Sequence, residues 1–276
     1  MAGFWLGPQA AARGYRLNGF DTVGSTNIEA ANAARLGDAG DVWFCALEQT
    51  AGRGRRGRPW QTLHGNLAAS VLIVPGTEPA VTATLGFVAG VALGEALRRI
   101  VPAAQIRSGI DGTDFAGGRI ALKWPNDVLA DGAKLSGLLL EAIRRPQGDT
   151  AVVIGLGVNV VAAPEGLPYP ATSLRQLGID ATAQQVFAEL ADAWVETYEI
   201  WNAGRGTADI LALWRRSAAG IGAEVAVQRE GDVVRGIFED VDETGRLVVR
   251  TSAGQTVTIT AGDVHFGTTA SARIGA

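Results

Sequence analysis

The chain has 276 residues, 47% of them hydrophobic and 19% charged, with a net charge of −4. That is enough chain to bury a large core, leaving roughly a quarter of the unfolded surface exposed, and the acidic balance excludes a nucleic-acid surface spread over the whole molecule. One cysteine, Cys45, excludes an internal disulfide, and the distant histidines His64 and His265 give no zinc-ligand spacing.

Residues 1–17 lack a basic start, and Gly7-Pro8 interrupts their apolar part, so a signal peptide is not expected. Residues 26–36 have helical spacing, with Ser25 or Thr26 placed as the N-cap. Residues 42–47 predict a short strand around Cys45, expected to be a core residue, and residues 66–74 predict another. Residues 82–100 predict a long alanine-rich amphipathic helix stopped near Pro102. Residues 106–118 are rich in glycine and aspartate and predict an exposed loop or hairpin insert without an assignable role.

Residues 120–124 predict a strand, and residues 134–143 and 151–161 predict adjacent strands joined by a turn at 144–149. The run 151–163 is the most apolar in the chain, yet it is too short to span a bilayer and contains Asn159. A cytoplasmic chain is therefore expected, with no membrane partner. Residues 182–202 and 208–217 predict helices carrying Trp194, Tyr198, Trp201 and Trp214. Beyond residue 220 only short strands are predicted, at 224–227, 233–241, 246–251 and 255–260. Turn signals at 230–232, 243–245 and 252–254 separate them. This pattern predicts a small β-barrel of about fifty residues. The expected division is 1–218 for a catalytic domain, 219–267 for the barrel and 268–276 for a loose tail. The fold class is α/β (α+β), a mixed β-sheet packed by helices.

Two segments carry candidate chemistry. Residues 48–60 place Arg53, Arg55, Arg56 and Arg58 on a loop with Gly52, Gly54 and Gly57, closed by Trp60. Arginine offers a rigid fork of donors to carboxylates and phosphates, and glycine lets backbone approach a ligand closely. Gly52 to Gly57 matches G-x-G-x-x-G, but a strand rather than a helix follows, which rules out the dinucleotide fingerprint. The second segment is Lys123-Trp124-Pro125-Asn126-Asp127 with Lys134-Leu135-Ser136-Gly137 behind it. Taken alone, each part reads as an ordinary turn or a solvated lysine. Asn159, a polar amide in a predicted buried strand, is either a satisfied core amide or a ligand reader.

The motifs in order are Asp21 to Asn27, Glu48 to Trp60, Lys123 to Leu129, Lys134 to Gly137 and Gly155 to Asn159. Together they resemble a bacterial biotin–protein ligase over most of residues 20–266. The C-terminal strands resemble that family's SH3-like barrel. No helix-turn-helix pattern precedes residue 20, so the resemblance implies neither repressor activity nor DNA binding.

The resemblance implies ATP-dependent activation of biotin to biotinoyl-5′-AMP. Transfer follows, to one lysine of the biotin carboxyl carrier protein of acetyl-CoA carboxylase. It assigns biotin binding to Ser25, Thr26, Asn27, Gln49, Gly52, Arg53, Gly54, Arg55, Lys134 and Gly137. It assigns ATP binding to Arg55, Trp60, Lys123, Asn126, Lys134 and Asn159. Lys134, Arg55, Lys123 and Asp127 form the implied catalytic set, with Asp127 either orienting or deprotonating the incoming lysine. Mg²⁺ is expected to be held by nucleotide phosphates, with no dedicated metal ligands. The family includes monomers and homodimers. Lipoate ligases and octanoyltransferases carry a different glycine-rich loop, which favours biotin over that neighbouring chemistry.

Overall fold

The computed structural model describes residues 2–101, 120–229 and 232–266. The insert at 106–118, residues 230–231 of one predicted turn and the tail lie outside the described residues. The elements run α1 (Pro8–Ala12), β1 (Arg16–Val23), α2 (Thr26–Arg35), β2 (Val42–Gln49), β3 (Leu67–Ile73), α3 (Pro79–Thr82) and α4 (Leu85–Ile100). Next come β4 (Ile120–Lys123), β5 (Asp127–Ala130), β6 (Ala133–Arg144), β7 (Thr150–Val158), α5 (Ala183–Trp201) and α6 (Thr207–Arg216). The chain then continues through β8 (Glu224–Arg229), β9 (Asp232–Val241), β10 (Leu247–Arg250), β11 (Thr256–Ile259) and β12 (Asp263–Phe266).

Among the described residues, seven strands form one sheet in the order β1-β2-β3-β7-β6-β5-β4. Only β1 and β2 run parallel, and the other pairs are antiparallel. Alternation along the central strands sorts side chains to two faces. Leu67, Val71 and Ile73 of β3, with Ile154 and Leu156 of β7, join the main core under α4 and α5. Leu72 and Val153 point the other way and pack with Ala30, Ala31 and Ala34 of α2. Every residue of β3 is therefore buried, as expected of a strand covered on both faces. Gly155 and Gly157 of β7 alternate onto the α2 face, where they leave the sheet without side chains.

The run Pro79–Ile100 is long and apolar enough to cross a membrane by composition, but much of it is buried in this protein. Leu85, Val88, Leu93 and Leu97 of α4 are all fully covered, which makes α4 a core helix. Each such side chain contributes about 1.5–3 kcal/mol of burial. The helix predicted at 82–100 is α4, which starts three residues later, and a separate short α3, not expected from the sequence, precedes it across Ala83 and Thr84. Thr84 Oγ1 accepts a 2.8 Å bond from the Trp201 indole N–H, which fixes the break against α5. Helix α5 opens with a full capping box between Thr182 and Gln185. Trp194 then stacks on Tyr198, and Tyr198 stacks on Trp201. Cys45 is fully buried, and burial pushes its thiol well above the ordinary range.

The second sheet has five antiparallel strands in the order β11-β10-β9-β8-β12. Val227, Phe238, Val249, Ile259 and Val264, taken from all five strands, share one buried cluster. No pairing of β11 with β12 appears among the described residues. This sheet is tied to the first by the Trp124 indole N–H, which donates to Gly245 O at 3.0 Å, and the segment leading into it is held by a bridge from Leu122 to Ala218. Strands β1, β5 and β12 and helix α1 were not expected from the sequence.

Candidate active site

The N-terminus of α2 lies on the glycine-bearing face of the large sheet. Ser25 occupies the cap position with extended backbone but makes no side-chain cap bond. Gln49, at the end of β2, does that work. Its Oε1 accepts from Thr26 N at 2.8 Å and from Thr26 Oγ1 at 3.2 Å. Its Nε2 donates to Thr62 Oγ1 at 3.1 Å. Behind it, Ser70 Oγ lies 2.7 Å from Thr26 Oγ1 and 2.6 Å from Asn27 Oδ1, and its one proton can serve only one of them at a time. Asn27 Nδ2 donates to Glu141 Oε2 at 2.6 Å. Ser25, Thr26 and Asn27 are buried. The result is a compact, water-poor cluster of hydroxyls and amides without net charge of its own, apart from Glu141 at its edge.

The arginine loop folds back beside this cluster. Gly54 N donates to Arg58 O at 2.7 Å and Trp60 N to Gly52 O at 3.0 Å. A Cβ on Gly52 would come 2.4 Å from Trp60 O, so the hairpin requires a glycine there. Arg53 is held by a backbone bridge to Pro59. Arg55 Nη1 donates to Asn126 Oδ1 at 3.1 Å, and Asn126 Nδ2 donates to Leu138 O at 2.6 Å. Burial works against the Arg55 charge and lowers its pKa, yet arginine remains protonated. A half-buried guanidinium of this kind favours an incoming anion.

Trp60 lays its indole across the glycine floor. A Cβ on Gly157 would meet its Nε1 at 2.2 Å, and one on Gly137 would meet Cζ3 at 3.2 Å. Lys134 Nζ lies 5.6 Å from the Trp60 ring centre, 5.4 Å from that of Tyr169 and 2.8 Å from Asp127 Oδ1. Both partners of that ion pair are about one-fifth exposed, at 19% each. Lys123, on β4, stands with its Nζ 5.4 Å from the Phe266 ring centre. Burial lowers its pKa, Asp127 opposes that shift, and Lys134 adds to it.

The structure thus gathers Ser25, Thr26, Asn27 and Gln49 at one end. Arg55, Asn126, Lys123, Asp127, Lys134, Gly137 and Trp60 lie at the other. Gly52 and Gly54 are in the hairpin that spans them. Asn159 is half satisfied: Nδ2 donates to Thr172 O at 3.0 Å, while Oδ1 is buried with no hydrogen-bond partner among the described residues. Sequence reasoning missed Thr62, Ser70, Glu141 and Tyr169. Ser70 carried a usable signal, as a hydroxyl in an otherwise apolar strand. Tyr169 carried none, because its place over Lys134 comes from a bridge between Lys134 and Ala171.

A neutral donor–acceptor cluster beside three cations suits a ligand that is polar but uncharged at one end and anionic at the other. The cations could also hold two anions against each other.

Comparison with known proteins agrees with this geometry. Residues 39–159 match the biotin/lipoate A/B protein ligase family, and residues 220–267 match the biotin protein ligase C-terminal domain. A biotin–[acetyl-CoA-carboxylase] ligase of Paracoccus denitrificans is 36% identical over 88% of this chain and 97% of its own. One from Mycobacterium tuberculosis is 36% identical over 92% of this chain and 90% of its own. The biotin protein ligase of Aquifex aeolicus, solved with biotin and ATP, superposes with a TM-score of 0.73 at 25% identity. That match covers 91% of this chain and 98% of the other.

Proposed function

The chain belongs to the biotin–protein ligase family, and from that premise we propose how its own residues make and spend a biotinoyl adenylate. The protein is a ligase that uses ATP and biotin. In the first step a biotin carboxylate oxygen attacks the α-phosphorus of ATP, a P–O bond forms, and the bond to pyrophosphate breaks. Two anions must meet, so fixed positive charge in a water-poor site is the main requirement. In the second step a carrier lysine amine attacks the acyl carbon. A C–N bond forms, the C–O bond to AMP breaks, and the amine gives up a proton.

The observation that carries this reading is the position of Lys134. Its ammonium, 2.8 Å from Asp127 Oδ1 and 5.6 Å from the Trp60 ring centre, stands over the glycine floor at the cationic end of the site that also holds Arg55 and Asn126. We assign Lys134 to the carboxylate–phosphate junction and Arg53 and Arg55 to the loop that covers it. Ser25, Thr26, Asn27 and Gln49 read the ureido ring, and Gly52, Gly54 and Gly137 let backbone close on biotin. Trp60 and Asn126 meet the nucleotide. Asn159 does so through its unpartnered oxygen, which supports the ligand-reading alternative. Lys123 and Asp127 face the phosphates and the incoming lysine. The 2.8 Å contact of Asp127 Oδ1 with Lys134 supports an orienting carboxylate.

Among the described residues no three His, Cys, Asp or Glu side chains gather into an ion-holding group. A Mg²⁺ carried by the nucleotide phosphates, near Asp127, fits that donor set, and when bound it would add positive charge at the junction. The acceptor we propose is the biotin carboxyl carrier protein of acetyl-CoA carboxylase, met in the cytoplasm. We also propose the division into 1–218, 219–267 and 268–276, supported by two sheets that share no strand. A homodimer formed by sheet extension would use β1, an outer strand of the large sheet, because the outer edge of β4 is bonded to Ser217 and Ala219.

The test is ATP–pyrophosphate exchange with Mg²⁺ and, in parallel, biotin, lipoate or octanoate. Exchange with biotin alone is expected. Exchange with lipoate or octanoate would move the substrate assignment to the neighbouring acids that the family description also covers.

A further inference from the structure

The four arginines of the loop do not share one target. Arg55 turns inward to Asn126, whereas Arg56 and Arg58 turn outward to a single carboxylate oxygen. Arg56 Nη1 lies 3.0 Å and Arg58 Nη2 2.7 Å from Asp263 Oδ2. Asp263 is the first residue of β12, more than two hundred positions away, and is paired in register with Gln228 of β8. Its side chain is only 25% exposed. Burial alone would raise its pKa, but the Arg58 bond and the charges of Arg58, Arg56 and Arg55 outweigh this and hold it below the usual carboxylate range.

Two further observations give the contact a purpose. Arg56 adopts φ 56° and ψ 29°, the left-handed region that an arginine occupies only when its surroundings hold it there. Four guanidiniums within six residues also repel one another. Among the described residues, Asp263 is the carboxylate that Arg56 and Arg58 both reach. The contact is partly solvated, so it is weak enough to open for ligand entry. It is also anchored on the rigid ladder of the second sheet.

We propose that Asp263 is a positioning residue that latches the arginine loop shut over the reaction centre through Arg56 and Arg58. The C-terminal sheet thereby sets how well the acyl adenylate is retained. This inference rests on the ligase reading above. The latch touches no reacting atom and acts through the closed state of the loop, which keeps a reactive intermediate from water and from stray amines.

The experiment compares the parent chain with Asp263→Asn, the double variant Arg56→Ala/Arg58→Ala, and all three changes together. Each is given biotin and MgATP. Pyrophosphate exchange reads adenylation, and biotinylation of bovine serum albumin reads escaped adenylate. Asp263→Asn should raise albumin labelling per adenylate formed by about tenfold, the factor that loss of one charged hydrogen bond gives. Its exchange kcat should stay within about twofold. The combined variant should leak no more than the arginine double, because both remove the same contact. Partial recovery of retention in the charge swap Asp263→Arg/Arg58→Asp would tie the effect to the pair itself.

Parent-like retention in Asp263→Asn overturns the latch, as does strictly multiplicative leakage in the combined variant. If Asp263→Asn does not fold, the exposed arginine double variant carries the same comparison, and parent-like retention there overturns the proposal. A parent chain that shows no biotin-dependent exchange refutes the ligase reading and the latch together. A leak-free variant of an active parent refutes the latch alone.

Discussion

Lys134 and Gly137 face the same side of β6 although they lie three positions apart. A Cβ on Gly137 would lie 3.4 Å from Lys134 Nζ. Regular alternation would put residues three apart on opposite faces. The register explains the exception: Asp127 pairs with Gly137 and Val128 with Ser136, but Leu129 pairs with Lys134, so Leu135 is an extra residue on β6. A bulge of this kind re-aims a side chain. Here it turns the ammonium into the pocket beside the glycine floor and leaves Leu135 fully buried in the core.

Lys134→Ala should slow adenylation by about 10²–10³, the cost of one preorganised charge at a developing anion. Asp127 would also lose its ion-pair partner. Pyrophosphate exchange at saturating biotin and ATP checks this, and parent-like exchange would remove Lys134 from the chemistry.

Gly155→Ala and Gly157→Ala should separate two parts of the site. A Cβ at 155 would lie 2.1 Å from Asn27 Oδ1, within a network already bonded to Ser70 and Glu141. It should cost about 1–3 kcal/mol of stability and weaken biotin binding. A Cβ at 157 would strike the Trp60 indole, on a loop that can shift, so its main effect should fall on nucleotide affinity. Calorimetric titration with biotin and with ATP, beside thermal melts, distinguishes them. Equal losses for both ligands in both variants would show that the floor is not divided in this way.

Much of the fold was legible because its signals are local. The helical run opening at Thr182, the apolar run of β3 and the turns of the second sheet can each be read within a short window. Strand β1 escaped because it is an edge strand with alternating partial exposure, paired in parallel with β2. Strands β5 and β12 are four residues long, as are β4, β10 and β11, but each of the two opens on an aspartate, which reads locally as a turn former. In the site, charge and glycine spacing exposed the arginine loop, while Lys134 was reached through the family resemblance. What stayed hidden was anything set by register or by long-range pairing. Gln49 replaces Ser25 as the cap, Glu141 holds Asn27, and Asp263 meets Arg56 and Arg58.

Lys123 should trade stability for function. Burial holds its pKa below the ordinary lysine value, so the unfolded chain binds that proton more readily than the folded one. The associated stability is present above the unfolded pKa, about 10.4, and is lost as pH falls through the lowered folded value. Lys123→Met should therefore gain stability over the parent below that window, with the gain vanishing at higher pH. Each kcal/mol recovered is worth about 2–4 °C in Tm. Melts from pH 7 to pH 11 check the sign. A variant less stable than the parent at pH 7 would mean that Asp127 and Phe266 already compensate the buried ammonium.

Arg55→Gly should release adenylate by a route different from the latch. Arg55 is half-buried, bonded to Asn126 and turned toward the cations of the pocket, so its loss lowers affinity for the phosphate itself. Asp263 would still hold Arg56 and Arg58, and the loop would still close, but over a weaker hold. The intermediate should then leak at every salt concentration. Leakage caused by loss of the Asp263 contact should instead be approached by the parent as ionic strength rises, because that pair is partly solvated and is screened. Albumin labelling measured from low to high salt in both backgrounds tests the distinction. A salt-independent parent, or an Arg55→Gly variant that labels only the carrier, would show that retention does not depend on these two arginine contacts in the way their geometry suggests.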